Sequence, residues 1–199
     1  MRFGFRCGLK SAFFGLRLQP GASQVLTRRS ALSLRDRNVE APSLEDLIAV
    51  AREAGSAAEA VAAVSGWLAA RCFGAGVFDE AVWRAAAEIR ESGGTARVGE
   101  IAGRSGLSER QFLRRFREGV GLSPKEYSRI IRIRKACAGA VLDEVPWAEL
   151  AAAGGFADQA HLIREFSAIF QWPPKVVSEY LLRIRHVRFV QDTEGRGGP

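Results

Sequence analysis

The sequence predicts an all-α protein in which one unit occurs twice: a short helix, a glycine turn and a longer helix. A single long helix joins the copies. Three observations predict this. VGEIAGRSGLSERQFLRRFREGVGLSP and WAELAAAGGFADQAHLIREFSAIFQWPP repeat one pattern after about fifty residues, and an internal repeat identifies an architecture more strongly than any lone segment. Apolar residues in both copies recur at three- and four-residue spacing, the helical period. Between them, Ser123–Leu142 carries helical periodicity with Pro124 at the favoured first helical position.

The elements follow in order. FFGLRLQPG reads as a short strand ending at Pro20-Gly21, so the N-terminal segment is expected to be mixed, and a helix around Ala22–Arg28 follows it. Pro42-Ser43 caps the helix SLEDLIAVAREAG. Another helix runs from about Ser56 to Cys72, with Ala60, Val61, Val64, Trp67 and Leu68 as its apolar stripe. Phe73–Gly76 reads as a linker. The expected division is 1–76, mainly helical after residue 43; 77–185, holding the repeat; and a disordered tail, 186–199, ending in GRGGP.

The first unit spans about 98–118. Val98, Ile101 and Ala102 form a short apolar face, Ala102 being small enough for a second helix to cross closely, and Gly106 makes the turn. Ser108 is a good N-cap, and Gln111 can complete a capping box. At about 100° per residue, Arg110, Arg114 and Arg117 share one face, flanked by Gln111, Arg115 and Glu118. Phe112, Leu113 and Phe116 take the opposite arc, and Gly119 and Gly121 end the helix. On the connecting helix, about 124–142, Tyr127, Ile130, Ile131, Ala138, Val141 and Leu142 are expected to face inward, and Cys137 is read as a small core residue. The second unit spans about 147–170. There Glu149, Leu150, Ala151, Gly155, Phe156, Phe166 and Pro174 match Glu100, Ile101, Ala102, Gly106, Leu107, Phe116 and Pro124. Trp83, Trp147 and Trp172 are expected to be core or packing residues.

Composition narrows the chemistry. The 199 residues carry a formal net charge of +7, which points to an anionic partner without choosing among nucleic acid, a membrane surface and an acidic protein. Between Arg104 and Lys135 stand ten bases and three acids, a balance equal to that of the whole chain. Positive charge concentrated on a few helices is the footprint of a phosphate-binding surface. No run approaches the roughly 20 apolar residues that span a bilayer. The N-terminus, MRFGFRCGLKSAFFGLRL, is arginine-rich and precedes any acid, as transit peptides are, but bases interrupt any apolar targeting core. Cys7, Cys72 and Cys137 stand far apart and the two histidines are His161 and His186, so neither a disulfide framework, a metal site nor a cofactor is expected. A reducing cytoplasm fits best, and for a DNA-binding chain association with the nucleoid. No catalytic residue is expected either: Cys7 and Cys72 have no clustered partner or adjacent base of the kind a reactive thiolate needs.

Two short helices joined by a glycine turn, the second bearing the exposed bases, form the helix-turn-helix pattern. In that pattern the second helix lies in the DNA major groove. Arginine suits the task because its planar fork bonds guanine O6 and N7 together, or bridges phosphates. A connecting helix near 28 Å long compares with one DNA turn of about 34 Å, so two recognition helices could enter successive grooves.

At these residues the chain resembles the AraC/XylS family of bacterial transcription regulators, over about Asp79–Arg185. The resemblance rests on IAGRSGLSERQFLRRFREGVGLSP, on Arg132 and Ala136 of the connecting helix, and on GGFADQAHLIREFSAIFQWPP. It implies a seven-helix DNA-binding domain, sequence-specific binding to double-stranded promoter DNA, and contact with RNA polymerase. Carried over residue by residue, Arg110, Gln111 and Arg114 face bases or phosphates, with Ser108 and Arg115 on the backbone. In the second unit Asp158, Gln159, Ala160, His161 and Arg164 take the corresponding positions. The chain departs from the family at Ala152 and Ala153, at Gln171 in place of glycine, and at Val177 in place of tyrosine.

From Ala136 to Tyr180 two bases face six acids, so the second unit is expected to bind phosphate weakly and to adjust specificity. Arg183, Arg185 and Arg188 offer at most an added phosphate contact. GLRLQPGA and the helices after it resemble the end of the family's effector or dimerisation module, too short a stretch to build a complete small-molecule pocket. The alternative reading is a truncated regulator that acts by pairing with other proteins, which salt dependence of DNA binding would separate.

Overall fold

The computed structural model describes residues 18–37, 44–72, 79–142, 145–177 and 179. Ten α-helices, a further helical turn at 174–177 and no strands occur among them. Of the strand expected over Phe13–Gly21, Leu18–Gly21 is non-strand and the rest lies outside the described residues, as do the Ser43 cap, the Phe73–Gly76 linker and the tail after residue 180. The chain divides into two compact units, Met1–Ala86 with Ala102–Ser123, and Ala87–Ile101 with Pro124–Pro199.

The first unit contains α1 (Ser23–Thr27), α2 (Ala31–Leu34), α3 (Glu45–Glu53), α4 (Ala57–Cys72), the start of α5 (Glu80–Glu91), the end of α6 (Val98–Arg104) and all of α7 (Glu109–Val120). Ser56 caps α4 by accepting the Glu59 N–H at 3.2 Å. Ala60 and Val64 are buried and Val61, Trp67 and Leu68 half-buried, so the expected stripe is the face that packs on α3 and α1. Val25, Leu26, Leu47, Val82, Ala85, Ala86, Ala102, Phe112 and Phe116 are the other buried hydrophobic residues described in this unit.

Gly119 does not end α7. The helix runs on to Val120, and Gly121 alone caps it in the left-handed region, φ +82°, with its N–H bonded to the Arg117 carbonyl at 2.9 Å. Gly119 is instead a packing position: a Cβ there would lie 3.0 Å from Val82 Cγ1.

In the second unit α8 (Pro124–Leu142), α9 (Trp147–Ala153) and α10 (Gln159–Phe170) pack on one another in all three pairs. Their core is Ile133, Ala136, Cys137, Ala151, Phe156, Leu162, Phe166 and Val177. The inward face of α8 differs from expectation. Tyr127 and Ile131 are buried, but Ala138 is exposed and Ile130 half-buried, while Ile133, Ala136 and Cys137 take the core. Instead of one apolar stripe, α8 buries residues on several sides. The Gly93-Gly94 turn after α5 runs against it, and a Cβ at Gly94 would lie 2.3 Å from the Ser128 carbonyl oxygen.

Burial pushes the Cys137 thiol above its ordinary pKa, which suits an inert core residue. Trp147 packs edge-on against Phe166, ring centroids 5.4 Å apart. Trp83 and Trp172 are not core residues: they stand 40% and 53% exposed.

Candidate nucleic-acid interface

The two longer helices of the repeat are built alike. Before α7, Gly106 turns the chain at φ +71°; before α10, Gly155 does so at φ +67°. These values lie where glycine carries no Cβ penalty. Ser105 Oγ ties the first turn by donating to the Ala102 carbonyl at 2.6 Å and accepting the Leu107 N–H at 3.3 Å.

Ser108 then caps α7. Its Oγ accepts the Gln111 N–H at 3.4 Å, and Gln111 Oε1 accepts the Ser108 N–H at 3.1 Å, completing the capping box. At the matching position Asp158 accepts the His161 N–H at 2.6 Å. His161 Nδ1 reaches back to accept the Ala157 N–H at 3.3 Å, much as Gln111 does in the first copy. Four orphan N–H groups at each helix start need such partners. Asp158 and His161, both expected at DNA-contact positions, thus serve the start of α10, a role that the sequence reading did not assign to either.

Burial sorts the remaining side chains. On α7, Phe112 and Phe116 are fully buried and Leu113 half-buried, while Arg110, Gln111, Arg114 and Arg117 are exposed. Among the described residues Arg114 makes a long i,i+4 pair with Glu118, 3.4 Å, and keeps 64% of its side-chain surface in solvent; exposed pairs of this kind contribute little. On α10, Leu162 and Phe166 are fully buried, and Gln159, Ala160 and Arg164 are exposed.

Several of the expected contact residues are engaged inside the protein. Arg115 donates from Nε and Nη2 to the two oxygens of Asp79, at 2.7 and 2.8 Å. Burial alone would raise the Asp79 pKa, but hydrogen bonds from Arg115 and Val82, with the guanidinium charge, hold it below the ordinary carboxylate value. The same hydrogen bond with Asp79 raises Arg115 against burial. Asp79 also caps α5, accepting the Val82 N–H at 3.2 Å. His161 sets its ring edge-on to Phe156, centroids 5.6 Å apart, with Nε2 3.9 Å from Glu165 Oε1. Glu165 in turn accepts a hydrogen bond from Arg129 of α8. Arg132 stacks over the Phe156 ring at 5.0 Å and reaches the Gly155 carbonyl at 3.5 Å, so it braces the second turn.

Residues 101–180 match the model of a helix-turn-helix domain family. No curated protein and no solved structure matches the chain. Over these residues the chain is similar to helix-turn-helix domains, a class associated with DNA binding and transcription regulation. No described helix is long and apolar enough to cross a membrane.

Proposed function

We propose that the protein is a sequence-specific transcription regulator of the AraC/XylS type, using α7 and α10 as recognition helices on adjacent stretches of major groove. The observation that carries this reading is α7. A capped, amphipathic helix follows a glycine turn, with Phe112 and Phe116 fully buried and Arg110, Arg114 and Arg117 turned outward. The repeat of that construction in α10, cap for cap and turn for turn, supports a second reading element.

The roles assigned here follow from what each side chain is free to do. Arg110, Gln111 and Arg114 read base edges or bridge phosphates, and Arg117 bonds phosphate. Ser108 and Asp158 shape the helix starts. Gln159, Ala160 and Arg164 form the outer face of α10, with His161 presenting whatever edge its Phe156 stack leaves open. Arg115 is assigned to the Asp79 pair. On this proposal α7 supplies most of the affinity and α10 adjusts specificity, because acids outnumber bases around α10. Promoter binding followed by contact with RNA polymerase completes the proposal.

The test is selection of sites from a random duplex pool by the purified protein, followed by titration of Arg114→Ala and Arg164→Ala on the selected site. The expected result is two conserved blocks about one helical turn apart, with the larger affinity loss for Arg114→Ala. A larger loss for Arg164→Ala would reverse the assignment. No enriched site would refute sequence-specific reading.

A further inference from the structure

The segment ahead of the repeat is docked on α7. Gln24 Nε2 and Ser30 Oγ both donate to the Glu118 carbonyl oxygen, each at 3.1 Å, giving a partner to one of the carbonyls a helix end leaves open. The α2 backbone passes close by: a Cβ on Gly121 would lie 2.9 Å from the Ala31 carbonyl oxygen. Leu32, 47% exposed, forms one side of an open groove of about 560 Å³. Its other side is α7, with Glu109, Arg110, Leu113, Arg114, Arg117 and Glu118.

The docked segment is itself basic. TRRSALSLRDR places Arg28, Arg29, Arg35 and Arg37 around α2, against the single acid Asp36. All four arginines are exposed. Arg35 lies 3.4 Å from Asp36 in an exposed ion pair. The hydrogen bonds of the segment fall on the last turn of α7, whereas a recognition helix reads base edges mainly with its N-terminal residues. The segment thus flanks the arginine face and leaves Ser108–Gln111 exposed.

We propose that α1 and α2 are a second, phosphate-binding arm of the interface, with Arg28, Arg29, Arg35 and Arg37 gripping the DNA backbone beside the groove that α7 enters. This rests on α7 being a recognition helix. The arm carries no base reading; it adds affinity and fixes the register of α7.

The experiment uses the full chain and the duplex selected by the wild-type protein, titrated across a salt series. Each phosphate contact contributes roughly 0.9 to the slope of log K against log salt. R28Q/R29Q/R35Q/R37Q is expected to lower that slope by at least about one unit, with base preference unchanged. R28K/R29K/R35K/R37K, which keeps the charge, is expected to keep the slope. A smaller fall in the glutamine variant, a fall of the same size in the lysine variant, or tighter binding by either would overturn the arm. Tighter binding would mean that the segment covers α7. If Arg114→Ala weakens binding while the glutamine variant keeps its slope, the arm fails and the recognition helix stands. A wild-type protein that binds no duplex removes both.

Discussion

Adjacent arginines on α7 are expected to part company when each is replaced by alanine. Arg114 is largely in solvent and pairs with Glu118 along its own helix. Losing that pair costs about 0.3–0.5 kcal/mol, close to the error of a denaturation curve. A bidentate base contact made by the same side chain is worth about 1–3 kcal/mol, or roughly 5- to 150-fold in affinity. Arg115 is the opposite case. Its fork satisfies both oxygens of an Asp79 side chain that is only 21% exposed. Alanine there leaves a partly buried carboxylate with the backbone N–H groups of Val82 and Ala81 but without the Arg115 guanidinium. Charge-assisted bonds contribute about 1.5–3 kcal/mol, and partial exposure discounts this to about 1–2 kcal/mol. In a chain of this size that lowers Tm by about 3–6 °C. Urea denaturation and a fluorescence-anisotropy titration of both variants separate the effects. Arg114→Ala should keep its midpoint and lose affinity; Arg115→Ala should lose stability and keep its affinity. Equal affinity losses with unchanged stability would refute the division of labour drawn from the Asp79 pair.

The acid limb of stability tests the same pair from its other end. Asp79 titrates below its ordinary value of 3.8 in the folded chain, so its contribution is present above about pH 4 and lost as pH falls through the lower folded value. Asp79→Asn should therefore be less stable than wild type at neutral pH, with the gap closing below pH 4; a gap that is constant with pH would exclude the linkage. Gln171 holds a left-handed C-cap at φ +60°, a conformation that costs an L-residue roughly 1–2 kcal/mol. Gln171→Gly should stabilise by about 0.5–1 kcal/mol in a thermal melt, the loss of the side-chain bond to the Ala168 carbonyl offsetting the rest. Gly121→Ala should cost about 2 kcal/mol through its positive φ and the clash with Ala31. It should also speed hydrogen exchange in Ala31–Leu34, and unchanged exchange there would mean that α2 does not depend on the close approach.

What was legible in the sequence was local. The two faces of α7, its Ser108–Gln111 box and the paired turns at Gly106 and Gly155 follow from spacing and from residues that only certain backbone conformations favour. The rest depends on partners remote in the chain. Gly119 looks like a helix stop until Val82 is known to pack against it. Ala138 fits an inward stripe on α8, yet the helix buries Ile133 and Cys137 because neighbours pack on several of its sides. Nothing near Arg115 in sequence reveals Asp79, 36 residues away.

Remote partners also decide which bases face solvent. Ten bases between Arg104 and Lys135 would suggest a broad phosphate surface. The fold commits several of them inward: Arg115 to Asp79, Arg129 to Glu165, Arg132 to Phe156 and the Gly155 carbonyl. On α7 three arginines remain turned outward, Arg110, Arg114 and Arg117, enough for a salt slope of about 2.7 if each meets a phosphate. The four arginines of the docked segment, which a count centred on the helix-turn-helix region leaves out, would more than double that value. A measured slope well above three would thus point beyond α7, and the arginine-to-glutamine variant decides whether the excess belongs to α1 and α2.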